Sequence, residues 1–291
     1  MLICSLIAPP GGLSVDMAGN LFSAWGGREL TWLHPREAAE FEIAAMPENR
    51  WQVWQDLQEM RVDLVVQPKA GRRKKLLLAD MDSTMIQQEC IDELADLAGV
   101  GTQVKGITAK AMNGELDFEQ ALRARVALLE GQPASIIDQA LKTRIFFTAG
   151  GAELLATMKA NGAYSALVSG GFTAFTQPVS QHLGFHEHHA NQLLVDYGVV
   201  TGQVSDPILG QQAKVEALER LTAQLSITAQ DVLAVGDGAN DLGMLKRAGS
   251  GVALHAKPSV AAQCDIRINH GDLTALLFLQ GYPRNAFRNG V

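Results

Sequence analysis

Leu76-Leu77-Leu78-Ala79-Asp80-Met81-Asp82-Ser83-Thr84 sets four apolar residues directly before two carboxylates spaced two apart. The apolar run is short, continuous and free of polar residues, which reads as a buried strand. Its carboxyl end then delivers Asp80 and Asp82. In open α/β sheets, ligands bind beyond the carboxyl ends of the strands. Residues two apart on a strand share a face, and the turn that follows can aim both at one ligand. Carboxylates this close repel unless one is protonated or a cation stands between them. The stretch therefore predicts a divalent metal site with a second acid left over for proton transfer. Asp, Ser and Thr are also the usual helix-capping residues, so on its own the motif also admits a plain cap.

Composition bounds the rest. A chain of 291 residues has room for two domains, or for one large domain with an insertion. Hydrophobic residues make up 47% and charged residues 19%, as in a globular protein with a sizeable core. A net charge of −7 gives no sign of nucleic-acid or anionic-membrane binding. The basic cluster Arg72-Arg73-Lys74-Lys75 reads as a solvated linker. Cys4, Cys90 and Cys264 are far apart and form no C-x-x-C pair, which fits a reducing cytoplasm. The N-terminus lacks a basic leader region, and no stretch reaches membrane-spanning length.

Around this strand the chain divides into three parts. Residues 1–70 read as β-α-β-β-α-β, with Trp51, Trp54 and Leu57 at helical spacing in the second helix. Residues 87–146 are helical in pattern, with one stripe through Ile91, Leu94, Ala95 and Ala98 and another through Phe118, Leu122, Val126 and Leu129. Asn113-Gly114 and Gly131-Gln132-Pro133 punctuate them. This block interrupts an α/β unit and so reads as an inserted cap. Residues 75–86 and 147–285 alternate strand and helix, as a Rossmann-like parallel sheet requires. A small hairpin is expected within Leu193 to Asp206. His182, His186, His188 and His189 cluster after a helix and read as a surface loop rather than a metal site.

Three strands are expected to end in polar or glycine-rich turns: Asp80 to Asp82, Ser169-Gly170-Gly171, and Gly236-Asp237-Gly238-Ala239-Asn240-Asp241. Small residues at strand tips let backbone N–H groups approach a phosphate. Lys214, early in the helix Gln212 to Leu221, is a cation that can reach the same place. Asp80-x-Asp82-x-Thr84, Ser169-Gly170-Gly171, Lys214 and Gly236-Asp237-Gly238-x-Asn240-Asp241 together resemble the four motifs of the haloacid-dehalogenase-like phosphatases. Glu89, Phe118-Glu119-x-x-Leu122-x-x-Arg125-Val126 and Val168-Ser169-Gly170-Gly171-Phe172 resemble the branch of that family acting on O-phosphoserine. The resemblance runs from about residue 75 to the last helix. The element order of residues 1–70 resembles an ACT-type domain. Such a module would bind an amino acid or pair subunits into a homodimer, and a ligand-free packing domain has the same pattern.

The resemblance implies a Mg²⁺-dependent phosphatase at the last step of serine biosynthesis. Asp80 is then the nucleophile and Asp82 the general acid and base. Mg²⁺ falls to the Asp80 carboxylate, the Asp82 backbone carbonyl and the Asp237 carboxylate. Ser169, Gly170, Lys214 and Asn240 are assigned to the phosphate. Asp241 is expected behind them, orienting Lys214 or a metal-bound water. Glu89 is assigned to the substrate ammonium and Arg125 to its carboxylate, which a guanidinium fork matches. Met112 and Phe118 are candidates to pack around the carbon chain. Transfer of the phosphoryl group to an alcohol such as homoserine is a competing reading, and an amino-acid-sensing regulator is another.

Overall fold

The computed structural model describes residues 1–112 and 115–290, with the Met112 side chain also left aside. The Asn113-Gly114 turn and the Met112 expectation therefore lie outside the described residues. The N-terminal domain comprises β1 (Leu2–Ile7), α1 (Val15–Ala24), β2 (Arg28–His34), β3 (Ala38–Ile43), α2 (Arg50–Glu59) and β4 (Asp63–Pro68). Its strands form an antiparallel sheet in the order β2-β3-β1-β4, so the split β-α-β order expected from sequence is present. Ser14 starts α1 by accepting a hydrogen bond from the Met17 N–H at 3.3 Å, the usual role of an N-cap hydroxyl.

The chain then enters β5 (Leu76–Ala79). Four cap helices follow: α3 (Cys90–Leu97), α4 (Gly101–Met112), α5 (Phe118–Ala127) and α6 (Ser135–Thr143). Next come α7 (Gly151–Ala160), β6 (Tyr164–Phe172), α8 (Thr173–Leu183), β7 (Glu187–Asn191), β8 (Leu193–Asp196), β9 (Val199–Val204) and α9 (Gln211–Gln224). The chain closes with β10 (Val232–Gly236), α10 (Leu242–Arg247), β11 (Ser250–Leu254), α11 (Pro258–Ala261), β12 (Ile266–Ile268) and α12 (Ala275–Leu279). Six strands make a parallel sheet in the order β12-β11-β10-β5-β6-β7. The fold class is the expected one: an α/β parallel-sheet core, an inserted helical cap and a small N-terminal domain.

β5 runs between β10 and β6 and is covered on both faces, so all four of its residues are buried. This is why its sequence is continuously apolar rather than alternating. The chain leaves β5 toward β6 and β7, then returns to β10 on the other side of β5. That reversal opens a crevice at the carboxyl ends of β10, β5 and β6, the usual ligand position in such sheets. The hairpin β8–β9 forms where expected and lies against the cap, with the Gly131 N–H donating to Val200 O at 2.9 Å.

Three expectations need correction. The basic cluster is solvated only in part: Arg73 and Lys75 are exposed, but Arg72 and Lys74 are not. Arg72 donates from both terminal nitrogens to the Glu40 carboxylate, at 2.5 and 2.8 Å. Lys74 is buried and donates to Gln230 O at 2.7 Å, Lys75 pairs with Asp231, and Arg73 lies over the Tyr282 ring. These partners are remote in sequence, so composition could not reveal them. The histidine stretch is not a loop: His188 and His189 belong to β7, the edge strand of the sheet. An edge strand is half exposed and tolerates polar residues, which hides it from an apolar-run reading. β6, too, does not stop at Val168 but continues through Ser169-Gly170-Gly171 to Phe172.

The N-terminal domain is tied to the core by polar contacts. Asp63, at the start of β4, is fully buried and accepts backbone N–H bonds from Asn269, His270 and Gly271 at 2.8, 3.0 and 2.8 Å. Gln67 donates to Leu279 O at 2.8 Å. Arg267 of β12 lies 3.9 Å from the Trp51 ring centroid and 5.1 Å from that of Trp54, so these tryptophans serve the junction. Among the described residues no helix is long and apolar enough to cross a membrane.

Candidate active site

Asp80 and Asp82 follow β5 and are buried. Lys214, the fourth residue of α9, is 1% exposed and lies between two carboxylates. Its ammonium stands 2.6 Å from Asp80 Oδ1 and 2.5 Å from Asp241 Oδ1. Burial works against that charge, but the two carboxylates outweigh it and raise the lysine pKa. The Asp80 contact is a close ion pair whose angle is poor for a hydrogen bond, so Asp80 Oδ1 has no well-aligned donor.

Asp82 is held differently. Its Oδ1 accepts from the Cys90 N–H at 2.9 Å and its Oδ2 from the Ser169 hydroxyl at 3.1 Å. Burial raises its pKa, and these donors oppose the rise. Ser169 Oγ in turn accepts from the Gly171 N–H at 2.9 Å. A Cβ on Gly171 would lie 2.7 Å from Asp82 Oδ2, so only glycine lets the two strand tips approach this closely.

The tip of β10 supplies the third wall. Asp237 Oδ1 accepts from the Thr84 hydroxyl at 3.1 Å, and its other oxygen has no donor among the described residues. Burial, then repulsion from Asp241, pushes its carboxyl up to about 6. Asp241 is fully buried, and both its oxygens are engaged. Oδ1 meets Lys214, and Oδ2 accepts from the Asp237 and Gly238 N–H groups at 3.2 and 2.9 Å. Asn240 lies in the same short turn, with Oδ1 folded over Gly238, and makes no hydrogen bond to the other motif residues.

Carboxylate oxygens of Asp80, Asp237 and Asp241 lie within 4.8 Å of one another. Asp80, Asp82, Asp237 and Asp241 bring four formal negative charges against the single Lys214 charge. Burial raises the Asp80 pKa most, followed by repulsion from Asp241, and Lys214 offsets only part of this. Such a donor set fits a hard divalent cation. Asp80 and Asp237 have oxygens to offer it, whereas Asp241 is already committed to Lys214 and two N–H groups. Asp241 therefore lies against Lys214.

The cap closes over the opening. A Cβ on Gly170 would approach Phe118 Cζ to 3.0 Å, and one on Gly210 would approach Phe118 Cδ1 to 3.2 Å. Phe118 therefore rests on the β6 tip and on the loop leading to Lys214. Glu89 accepts from the Ser83 hydroxyl at 2.8 Å. Water reaches its side chain, yet protein surrounds most of it, and desolvation followed by repulsion from Asp82 pushes its carboxyl to about 7. Arg125 anchors its Nε on Ala121 O at 3.2 Å, while its terminal nitrogens have no hydrogen-bond partner among the described residues. Its charge interacts with Asp92, Glu89 and Asp82.

Two residues in this region carried no sequence signal. Cys90 donates to Asp82 through its backbone, and Asn191 binds Gly170 O and the Leu209 backbone. In each case the decisive partner is a group from another element, or a main-chain atom, that no spacing rule encodes.

The profile of the haloacid dehalogenase-like hydrolases matches residues 77–246. Phosphoserine phosphatase of Haemophilus influenzae is 46% identical over 204 residues, which cover 70% of this chain and 65% of that protein. A solved structure described as a phospho-aspartyl intermediate analogue of phosphoserine phosphatase is 43% identical, with a TM-score of 0.66 over 71% of this chain and 98% of that one. A haloacid-dehalogenase family hydrolase from Salmonella enterica serovar Typhi superimposes along nearly the whole chain. Its TM-score is 0.87 at 29% identity, with 96% and 98% covered.

Proposed function

Because the chain belongs to the haloacid dehalogenase-like hydrolases and, within them, to the phosphoserine phosphatases, we propose that it hydrolyses O-phosphoserine to serine and phosphate through an aspartyl phosphate on Asp80. The observation that carries this reading is the unequal treatment of two carboxyls at one strand tip. Asp80 Oδ1 faces the Lys214 ammonium at 2.6 Å and has no well-aligned donor among the described residues, so this carboxyl is left free to turn on phosphorus. Asp82 is held on both oxygens, by the Cys90 N–H on one and the Ser169 hydroxyl on the other, which fixes its carboxyl in place instead of leaving it free to attack. One carboxyl free of aligned donors and one tethered on both oxygens support Asp80 as the nucleophile and Asp82 as the positioned general acid.

In the first step an Asp80 oxygen bonds to phosphorus as the bond from phosphorus to the serine oxygen breaks. Asp82 gives its proton to that oxygen, since an alkoxide is a poor leaving group. In the second step water attacks the phosphorus, the Asp82 carboxylate takes the water's proton, and the Asp80 carboxylate is released. Ser169, the Gly170 N–H, Lys214 and Asn240 would stabilise charge on the phosphoryl oxygens. Mg²⁺, held by Asp80, Asp237 and the Asp82 carbonyl, would lower the repulsion between an anionic nucleophile and an anionic phosphate. Glu89 and Arg125 would take the ammonium and carboxylate of the amino acid. The reaction would place the enzyme at the close of serine biosynthesis.

Phosphate release from a panel of phosphomonoesters with Mg²⁺ tests this reading. O-Phosphoserine should give the highest kcat/KM, and Asp80→Asn should hold less than about a thousandth of wild-type kcat, the scale of losing a nucleophile. Equal turnover of unrelated phosphomonoesters, or an active Asp80→Asn protein, would overturn it.

A further inference from the structure

The β6–β7 ladder pairs Val168 with His189 and then skips to Phe172 with Asn191. Ser169, Gly170 and Gly171 thus run along β7 without ladder partners. This turns the Gly171 N–H onto Ser169 Oγ and leaves the Gly170 carbonyl in need of a donor. Asn191, 2% exposed at the end of β7, supplies it: Nδ2 donates to Gly170 O at 2.8 Å. The same amide grips the Leu209 peptide groups, with Nδ2 to Leu209 O at 3.2 Å and Leu209 N–H to Oδ1 at 2.7 Å. One side chain therefore ties the β6 tip to the loop that leads into α9 and Lys214. Phe118 of the cap rests on Gly170 and Gly210, next to both of these anchor points.

We infer that Asn191 is a positioning residue for the phosphatase reaction, setting the Ser169–Asp82 hydrogen bond through the Gly170–Gly171 peptide. The peptide unit is planar, so holding the Gly170 carbonyl fixes the direction of the Gly171 N–H on its opposite side. That N–H donates to Ser169 Oγ, and Ser169 Oγ donates to Asp82 Oδ2. Asn191 touches neither the acid nor the expected substrate, yet the acid's orientation depends on it. The inference rests on the assignment of Asp82 as proton donor.

Asn191→Asp keeps the shape and the acceptor for Leu209 N–H but loses the donor to both carbonyls. Asn191→Ala loses every bond and serves as the second variant. Turnover is measured with Mg²⁺ on whichever phosphomonoester the wild type hydrolyses best, so a wrong substrate assignment leaves the comparison intact. Folding is checked by thermal unfolding, and binding by calorimetry with orthovanadate. Asn191→Asp should fold and bind vanadate within about threefold of wild type, while kcat falls at least tenfold and KM changes little. Its carboxyl, buried against two carbonyl oxygens, should hold a proton more readily than a free one, and the protonated form regains one donor. The ratio of its kcat to that of wild type should therefore rise as pH falls from 7.5 to 5.5. The corresponding ratio for Asn191→Ala should stay flat. A folded Asn191→Asp protein with wild-type kcat across this range would overturn the inference. So would a loss confined to KM, or a ratio that does not move with pH. If Asn191→Asp does not fold, wild-type kcat in a folded Asn191→Ala protein overturns it, and a tenfold lower kcat at unchanged vanadate affinity supports it. If Asp82→Asn leaves both chemical steps unaffected, the reading beneath the inference fails instead.

Discussion

Lys214 Nζ lies 2.6 Å from Asp80 Oδ1, with both side chains almost wholly buried. The lysine makes the same kind of contact, at 2.5 Å, with Asp241. Lys214→Met leaves two buried carboxylates without their cation. Breaking a buried pair from one side costs roughly 3–5 kcal/mol. The variant should unfold at markedly lower denaturant concentration in EDTA and lose at least about a hundredfold in the rate of phosphoenzyme formation. Denaturation curves and single-turnover kinetics check the two effects separately. Wild-type stability would mean that the ammonium does not hold the acidic cluster together.

The same cluster makes metal-free stability depend on pH. Asp237 is pushed up to about 6 and Glu89 to about 7. Both folded values lie above those of the unfolded chain, so between the two the folded state binds more protons, and stability falls as pH rises. The loss begins near the ordinary carboxylate range and is complete above about pH 7 for these two groups. A divalent cation at Asp237 would bind its deprotonated form and reverse that part of the penalty. The difference in Tm between Mg²⁺ and EDTA should therefore widen from pH 5 to pH 7.5. Taking the difference cancels groups that titrate identically in both conditions. A constant difference would contradict metal binding at Asp237.

What the sequence disclosed follows from the kind of interaction involved. Leu76 to Ala79 was legible because β5 is central and covered on both faces, which demands unbroken apolarity. The acids at the strand tips were legible because their motifs are contiguous. β7 was not, since His188 and His189 sit on an edge strand where polar residues are tolerated. Arg72 looked solvated because its partner, Glu40, is on β3 of another domain. Asn191 and Cys90 act on groups that only the folded chain brings near them.

Arg125 offers terminal guanidinium nitrogens with no protein partner among the described residues, beside Glu89 and Asp92. Arg125→Ala should raise KM for O-phosphoserine far more than for phosphoethanolamine, which lacks the carboxylate. Losing a buried, charged hydrogen bond costs roughly 2–5 kcal/mol, or about thirtyfold or more in affinity. Parallel effects on both substrates would place Arg125 away from the carboxylate.

Asp63 joins the N-terminal domain to the core by accepting three backbone N–H bonds from Asn269, His270 and Gly271. Burial raises its pKa, and those three bonds oppose the rise, so part of their value offsets desolvation. Asp63→Ala strands three N–H groups in a buried junction and should cost about 2–3 kcal/mol, the scale of hydrogen bonds to a charged group. Every residue assigned to the reaction lies after Lys75, so kcat with saturating Mg²⁺ should stay near wild type. A protein shortened to begin at Gly71 carries the loss further. It lacks Asp63 and Gln67, and it uncovers the face that Trp51 and Trp54 shield through Arg267. It should keep metal binding and part of its turnover while losing thermal stability and scattering light as an aggregate. Thermal unfolding, light scattering and phosphate release on both proteins separate the outcomes. A shortened protein that folds and binds Mg²⁺ without any turnover would show that the N-terminal domain helps build the site.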